Sequence, residues 1–123
     1  MHATHALALA LVGLVAVAHV GFLVLEMFLW RTPFGRRVFG TSADDADKMA
    51  TLAANQGLYN GFLAAGLLFA LVREGLGAGR PTLSFFLGCV VVAGVYGAAT
   101  VSRRILYVQA LPAALALAVL WLA

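Results

Sequence analysis

The sequence predicts an all-α integral membrane protein, a four-helix bundle in antiparallel up-down topology. Of its 123 residues, 63% are hydrophobic and 11% are charged, and the mean hydropathy is +0.99. A soluble domain of this length needs more polar surface than that. Four apolar runs, at about residues 6–30, 49–72, 82–101 and 105–122, each approach the ~20 residues that a spanning helix needs. We expect them to form one transmembrane domain over residues 1–123.

Helices are expected because backbone groups in lipid must be hydrogen-bonded within the protein, and the runs lack the alternation typical of membrane barrels. The first run is expected to be a retained helix and not a signal peptide. Ala16 to His19 imitate a cleavage site, but no Lys or Arg precedes the run, and its apolar residues continue to Trp30.

The connections between the runs carry turn and cap signals. Residues 31–48 form the only substantial extramembrane segment, with a turn expected at Thr32-Pro33. Ser42 followed by Asp45 resembles a capping box, so the second helix is expected to begin near Ala43. Pro81 suits the first turn of the third helix.

The Lys and Arg residues of the short loops predict the orientation of the chain. The second loop carries two of them, Arg73 and Arg80, whereas the first carries four and the third two: Arg31, Arg36, Arg37 and Lys48, then Arg103 and Arg104. By the positive-inside rule, the first and third loops are cytoplasmic and both termini lie outside the cytoplasmic (inner) membrane. This bias accounts for the net charge of +3, so no nucleic-acid partner is expected.

Small residues recur at four-residue spacing, which allows close packing of membrane helices. Gly57, Gly61 and Ala65 form one such row in the second helix. A row of alanines in the fourth helix could serve a homodimer as easily as packing within the chain. In that helix Pro112 is expected to introduce a kink.

Polar side chains are the candidates for a functional site. Glu26 lies inside the first run, and a carboxylate in hydrocarbon costs at least ~2.5 kcal/mol, so it needs a partner, a proton or water. His19 lies on the same stripe of that helix, ~10 Å away along the axis. In the second helix Asn55 pairs with Tyr59, and Gln56 with Asn60, at i,i+4.

These groups are expected to meet near the cytoplasmic end of the bundle, with Gly57 and Gly61 on the opposite side of the second helix. Counted along the helices, Glu26, Asn55, Tyr96 and Gln109 lie at similar depths, about 6–8 Å inside. We therefore predict a polar pocket open to the cytoplasm, with Glu26 and His19 as catalytic candidates. The substrate-binding candidates are Trp30, Asn55, Gln56, Tyr59, Asn60, Tyr96 and Gln109.

Plainer explanations exist for each of these residues. A single Asn, Gln or Tyr can simply join two helices, and Trp30 can anchor the chain at the interface. Glu26 could form an ion pair with Arg31 or Arg104. The three histidines, His2, His5 and His19, do not cluster, and no phosphate-binding loop or CxxC motif occurs, so neither a metal nor a cofactor is expected.

Four blocks of the sequence together resemble the family called domain of unknown function 1304, small bacterial membrane proteins with four spans. The blocks are LEMFLWRTPFGRRVF, ANQGLYNGFLAAGL, VYGAATVSR and VQALPA. The resemblance covers nearly the whole chain and supplies no activity. It implies that family motif positions are occupied by His19, Glu26, Trp30, Asn55, Gln56, Tyr59, Asn60, Tyr96, Thr100 and Gln109.

Three functions are compatible with these patterns. The first is a membrane-embedded enzyme or binding protein for a small lipid-like or amphiphilic molecule, with Glu26 as proton donor or acceptor. The second is a proton-coupled exporter similar to the small multidrug-resistance transporters, although Glu26 lies nearer the membrane edge than a midplane site. The third is a structural bundle without a ligand.

Overall fold

A computed structural model of the chain describes residues 2–123. Within this range the protein is all-α and contains no strand, which confirms the predicted class. The helices are α1 (His2–Met27), α2 (Pro33–Phe39), α3 (Ala43–Arg73), α4 (Gly75–Ala78), α5 (Arg80–Thr100) and α6 (Leu111–Leu122), and a π-helical turn, Leu106–Ala110, precedes α6.

Two of these helices are long and apolar enough to cross a membrane, α1 and α5. The stretch Leu106–Leu122 is a shorter apolar helix. Helix α3 is the longest, at 31 residues, but Asn55, Gln56 and Asn60 lower the hydropathy of its middle.

Contacts divide the chain into two compact units. One is the continuous segment Val17–Ala64, and the other combines the N-terminal part of α1 with Ala65–Ala123. Helices α1 and α3 each run through both units. The buried polar residues Glu26 and His19 belong to the Val17–Ala64 unit.

Helix α1 ends three residues before the predicted boundary at Trp30. Its backbone closes with the amides of Phe28 and Leu29 both donating to the carbonyl of Val24, at 3.0 and 3.1 Å. The chain then turns into α2, which the sequence analysis missed and described only as a turn at Thr32-Pro33. Thr32 caps this short helix, since its Oγ1 accepts the Gly35 amide at 3.1 Å.

The start of α3 confirms its predicted cap. The helix begins at Ala43, and the Ser42 Oγ accepts the Asp45 amide at 3.1 Å. Asp44 and Asp45 lie in the first turn, where negative charge stabilises a helix. Pro81 likewise lies in the first turn of α5, as its fixed φ angle predicts.

The last part of the chain packs closely within its own unit. Gly94 of α5 lies against Ala110, whose backbone nitrogen would be 2.5 Å from a Cβ at position 94. This contact confirms that small residues bring these segments together. The π-helical turn lies directly before Pro112, where the missing N–H interrupts the regular hydrogen-bond ladder.

Candidate functional site

The candidate site is a buried carboxylate held by two side-chain amides. The Nε2 of Gln56 donates to Oε2 of Glu26 at 2.6 Å, and the Nδ2 of Asn60 donates to Oε1 at 2.6 Å. Glu26 is only 3% exposed. Each carboxylate oxygen therefore receives one strong, charge-assisted hydrogen bond when Glu26 is ionised.

The two amides reach the same carboxylate because they lie one helical turn apart on α3. Residues at i and i+4 project from the same side of a helix, ~6 Å apart along its axis. Glu26 lies next to the last residue of α1, Met27. The helix dipole makes this end unfavourable for negative charge, so the amide donors compensate for the position as well as for burial.

Two glycines of α3 allow the helices to approach closely at this point. A Cβ at Gly57 would lie 2.8 Å from Met27 Cγ and 3.0 Å from Glu26 Cβ. One turn further on, a Cβ at Gly61 would lie 2.5 Å from Leu23 Cδ1. The lack of a side chain at Gly57 leaves room for Glu26 and the α1 backbone, and at Gly61 it leaves room for the end of the Leu23 side chain.

The predicted position of these glycines on the side opposite the polar residues is wrong. Gly57 and Gly61 face α1 together with Gln56 and Asn60. The helical angles could have shown this, because residues 56, 57, 60 and 61 fall within about 140° at 100° per residue. The wall of the site thus includes Gly57 and Gly61, which the list of candidates lacked.

The other polar pair of α3 lies on a different face. Asn55 is exposed and Tyr59 is 60% exposed, with its ring 6.0 Å from the ring of Phe62. Neither side chain contacts the Glu26 carboxylate through a hydrogen bond. Of the four polar residues in this segment, the structure brings Gln56 and Asn60 to Glu26.

His19 is buried on α1, at 1% exposure. Its ring meets the edge of Phe22 at a centroid distance of 4.9 Å and an angle of 66°. Seven residues separate it from Glu26, which is ~10 Å along the helix. The two groups therefore do not touch, and a shared role requires a molecule between them.

Trp30 follows the end of α1 and is buried in a small core. The indole Nε1 donates to the Ala46 carbonyl at 2.9 Å, and the ring packs at 4.9 Å from Phe39 and against Ala53. At 8% exposure, the ring is part of a small core. An outward-facing interfacial anchor does not describe this side chain.

The remaining candidates lie in the other unit. Tyr96 is 71% exposed, and its backbone carbonyl accepts the Thr100 hydroxyl at 2.7 Å. Gln109 is half-buried within the π-helical turn. Their predicted convergence with Glu26 stays a prediction.

Among residues 2–123, no three His, Cys, Asp or Glu side chains form a group that could hold a metal ion. A shallow apolar groove lies along one helix, α5, and its walls are Phe85, Gly88, Cys89, Val92, Ala93 and Tyr96. Because this groove is open and apolar, it offers no polar chemistry comparable to that of Glu26.

Comparison with known proteins decides the family. Residues 13–121 match the family described as Protein of unknown function (DUF1304). The chain belongs to this family. All the residues around Glu26 fall inside the matched region.

One curated relative supports the assignment. The chain is 29% identical over 106 residues to the uncharacterized protein YpaA of Lactococcus lactis subsp. lactis, covering 85% of this chain and 87% of the relative. No solved structure matches the chain. Within the DUF1304 family, the Glu26 site therefore has to be interpreted from its own geometry.

Proposed function

We propose that the chain is a multi-pass protein of the bacterial cytoplasmic membrane, with α1, α3, α5 and Leu106–Leu122 as its four spans. Helices α1 and α5 have 26 and 21 residues, about 39 and 32 Å at 1.5 Å per residue. The uncharged part of α3 between Lys48 and Arg73 extends over ~36 Å. These three lengths match or exceed the ~30 Å hydrocarbon core, whereas the fourth span, Leu106–Leu122, extends over ~26 Å.

Within this membrane protein, Glu26 binds the polar head of a small lipid-like or amphiphilic molecule. The observation that carries the proposal is the buried carboxylate clamped by Gln56 and Asn60. A carboxylate offers about four acceptor positions, and the two amides use two of them. The head group that fits is a hydrogen-bond donor such as a hydroxyl or an amine.

Access to the carboxylate depends on Gln56. This residue is exposed, whereas Asn60 is half-buried and Glu26 is buried. Rotation of the Gln56 side chain frees Oε2 of Glu26 while Asn60 still holds Oε1. A ligand donor then replaces the Gln56 amide, so the carboxylate keeps two hydrogen bonds throughout. An apolar body would lie among neighbouring side chains such as Phe22 and Leu23.

Glu26 could also take part in a chemical reaction of the bound molecule, by transferring a proton. A carboxylate that exchanges one donor for another is placed to give or take a proton at Oε2. His19 would act as its partner only across a bound molecule, because ~10 Å of helix separates the two residues.

The test is native mass spectrometry of the protein released from nanodiscs made with lipids of its bacterial host. We expect a small bound molecule on the wild-type protein and its loss from Glu26→Gln. Glu74→Gln is the matched control, since Glu74 is an exposed glutamate outside the long helices. Retention by Glu26→Gln would place the bound molecule elsewhere and contradict the proposal. An empty wild-type protein in every lipid mixture would also contradict it and leave the structural-bundle interpretation.

A proteoliposome assay separates binding from export. If the bound molecule moves across the membrane in response to a pH gradient, and Glu26→Gln abolishes that flux, the exporter is the correct function. Without flux, conversion of the molecule to a new mass on incubation identifies an enzyme, and unchanged mass identifies a binding protein.

A further inference from the structure

An exposed face of α3 carries large side chains in line with Asn55. Leu52, Tyr59 and Phe62 are 71%, 60% and 57% exposed. With Asn55 they follow one another at intervals of three, four and three residues. This is the spacing of the seam along which two helices supercoil.

The Asn55 side chain on this face has no hydrogen-bond partner within the described chain, residues 2–123. In the proposed membrane placement, Asn55 lies ~10 Å beyond Lys48 along the helix, inside the hydrocarbon region. Lipid tails cannot pair with a carboxamide, and leaving such a group unpaired in an apolar medium is unfavourable. The Tyr59 hydroxyl on the same face meets the same restriction.

We propose that a second copy of this chain covers the face, with the two α3 helices packed along Leu52, Asn55, Tyr59 and Phe62. The electrostatic match argues for an identical partner. A carboxamide is both donor and acceptor, so two Asn55 side chains related by a two-fold axis pair with each other. A single asparagine in such a seam also fixes the register of the two helices.

The ring pair completes the interface. Tyr59 and Phe62 lie side by side, with centroids 6.0 Å apart, and would supply the apolar contact area around the paired amides. The dimer rests on the membrane placement in the proposed function but not on any ligand. Glu26 is held by Gln56 and Asn60 of the same chain, which lie on a different face of α3 from Asn55. The ligand site and the dimer face can therefore be occupied at the same time.

The test is a dilution series of full-length protein in phosphatidylcholine and phosphatidylglycerol vesicles, with dimer measured by energy transfer between labelled copies. We expect Asn55→Ala to weaken the dimer about 3- to 30-fold, as the loss of an interhelical amide pair does. Val92→Ala is the control, because Val92 is an equally exposed apolar residue of α5 (69%). A wild-type protein that is monomeric at all dilutions would overturn the proposal, and so would an equal effect of both variants.

Cysteine cross-linking tests the face directly. In a Cys89→Ser background, Asn55→Cys is expected to form a disulfide-linked dimer on oxidation in the vesicles, whereas Val92→Cys is not. A disulfide requires Cα atoms within about 7 Å, so its absence at position 55, or equal linkage at position 92, contradicts the α3 interface. Ligand binding at Glu26 can persist in either case, which keeps failure of the dimer distinct from failure of the proposed function.

Discussion

Asn60 donates its side-chain amide to Oε1 of Glu26 at 2.6 Å, joining α3 to the last turn of α1. The bond connects residues 34 positions apart in the chain. Gln56 holds the other oxygen from one turn earlier. This arrangement explains how an acidic residue can occupy an otherwise apolar helix, and it makes the amides the first groups to test.

Replacing Asn60 by Leu is expected to lower the free energy of unfolding by about 1–3 kcal/mol, because it leaves a buried acceptor oxygen without a donor. Gln56→Leu should cost less, since Gln56 is exposed and water or a ligand can take its place. Asn55→Leu is the matched control in the same helix and should stay within about 0.5 kcal/mol in monomeric detergent solution. Denaturant titration followed by circular dichroism measures all three.

A double-mutant cycle isolates the hydrogen bond itself. Asn60→Leu and Glu26→Leu remove opposite partners, so their effects should not add, with a coupling of roughly 0.5–3 kcal/mol. Additive effects would show that the 2.6 Å contact contributes nothing specific to stability.

Because α1 and α3 approach closely, we expect alanine substitutions at three glycines to change the free energy of unfolding by different amounts. Gly57→Ala should destabilise by about 1–3 kcal/mol through overpacking, because its Cβ would meet Glu26 Cβ and the Leu23 carbonyl, at 3.0 and 3.3 Å. Gly61→Ala should cost less, since only the flexible end of Leu23 stands in the way. Gly21→Ala, with nothing within 4 Å of the added carbon, should be neutral or stabilising by its better helix propensity. An equal loss at all three positions in the same titration would contradict this packing.

Trp30 is expected to behave as a core residue. Trp30→Phe removes the hydrogen bond to Ala46 and should lower stability by about 0.5–1.5 kcal/mol, while Trp30→Ala should cost about 3–5 kcal/mol. In the Trp121→Phe background, the fluorescence of Trp30 should resist quenching by aqueous iodide. Trp121 is 58% exposed, so the reciprocal Trp30→Phe variant provides the comparison, and equal quenching of both indoles would contradict the burial of Trp30.

The parts of the fold that were predicted correctly depend on local sequence signals such as caps and prolines. The Ser42 cap places the start of α3, and Pro81 lies in the first turn of α5. Glu26 was expected to need a partner, a proton or water, and it has two side-chain amide partners. Each of these features depends on residue type at a fixed spacing.

Features of the fold that depend on packing could not be predicted from residue type and spacing. No residue type at Phe28 or Leu29 signals the end of α1 at Met27, and the hydrogen bond from Trp30 to Ala46 that follows this end is visible only in the folded chain. Helix α2 was hidden because its proline and Gly35 resemble turn residues. Gly35 is required where a Cβ would meet the Leu29 carbonyl, a contact that only the folded chain reveals.

Topology provides a further prediction. In a Cys89→Ser background, Ser42→Cys should react with a membrane-impermeant maleimide from the cytoplasmic side, and Gly77→Cys from the opposite side, because α3 crosses the membrane between them in the proposed arrangement. The measurement uses intact cells and inverted vesicles in parallel. Labelling of both positions from one side would exclude the four-span arrangement.

The most direct measurement of the central claim is an experimental structure of the wild-type protein in host-lipid nanodiscs, at a resolution that shows individual side chains. Our account predicts non-protein density with a head group within hydrogen-bond distance, ~2.6–3.2 Å, of the Glu26 carboxylate, and a Gln56 side chain turned away from Oε2. A structure in which both amides still hold Glu26 and no molecule reaches the carboxylate, in the wild-type protein purified with its own lipids, would contradict it.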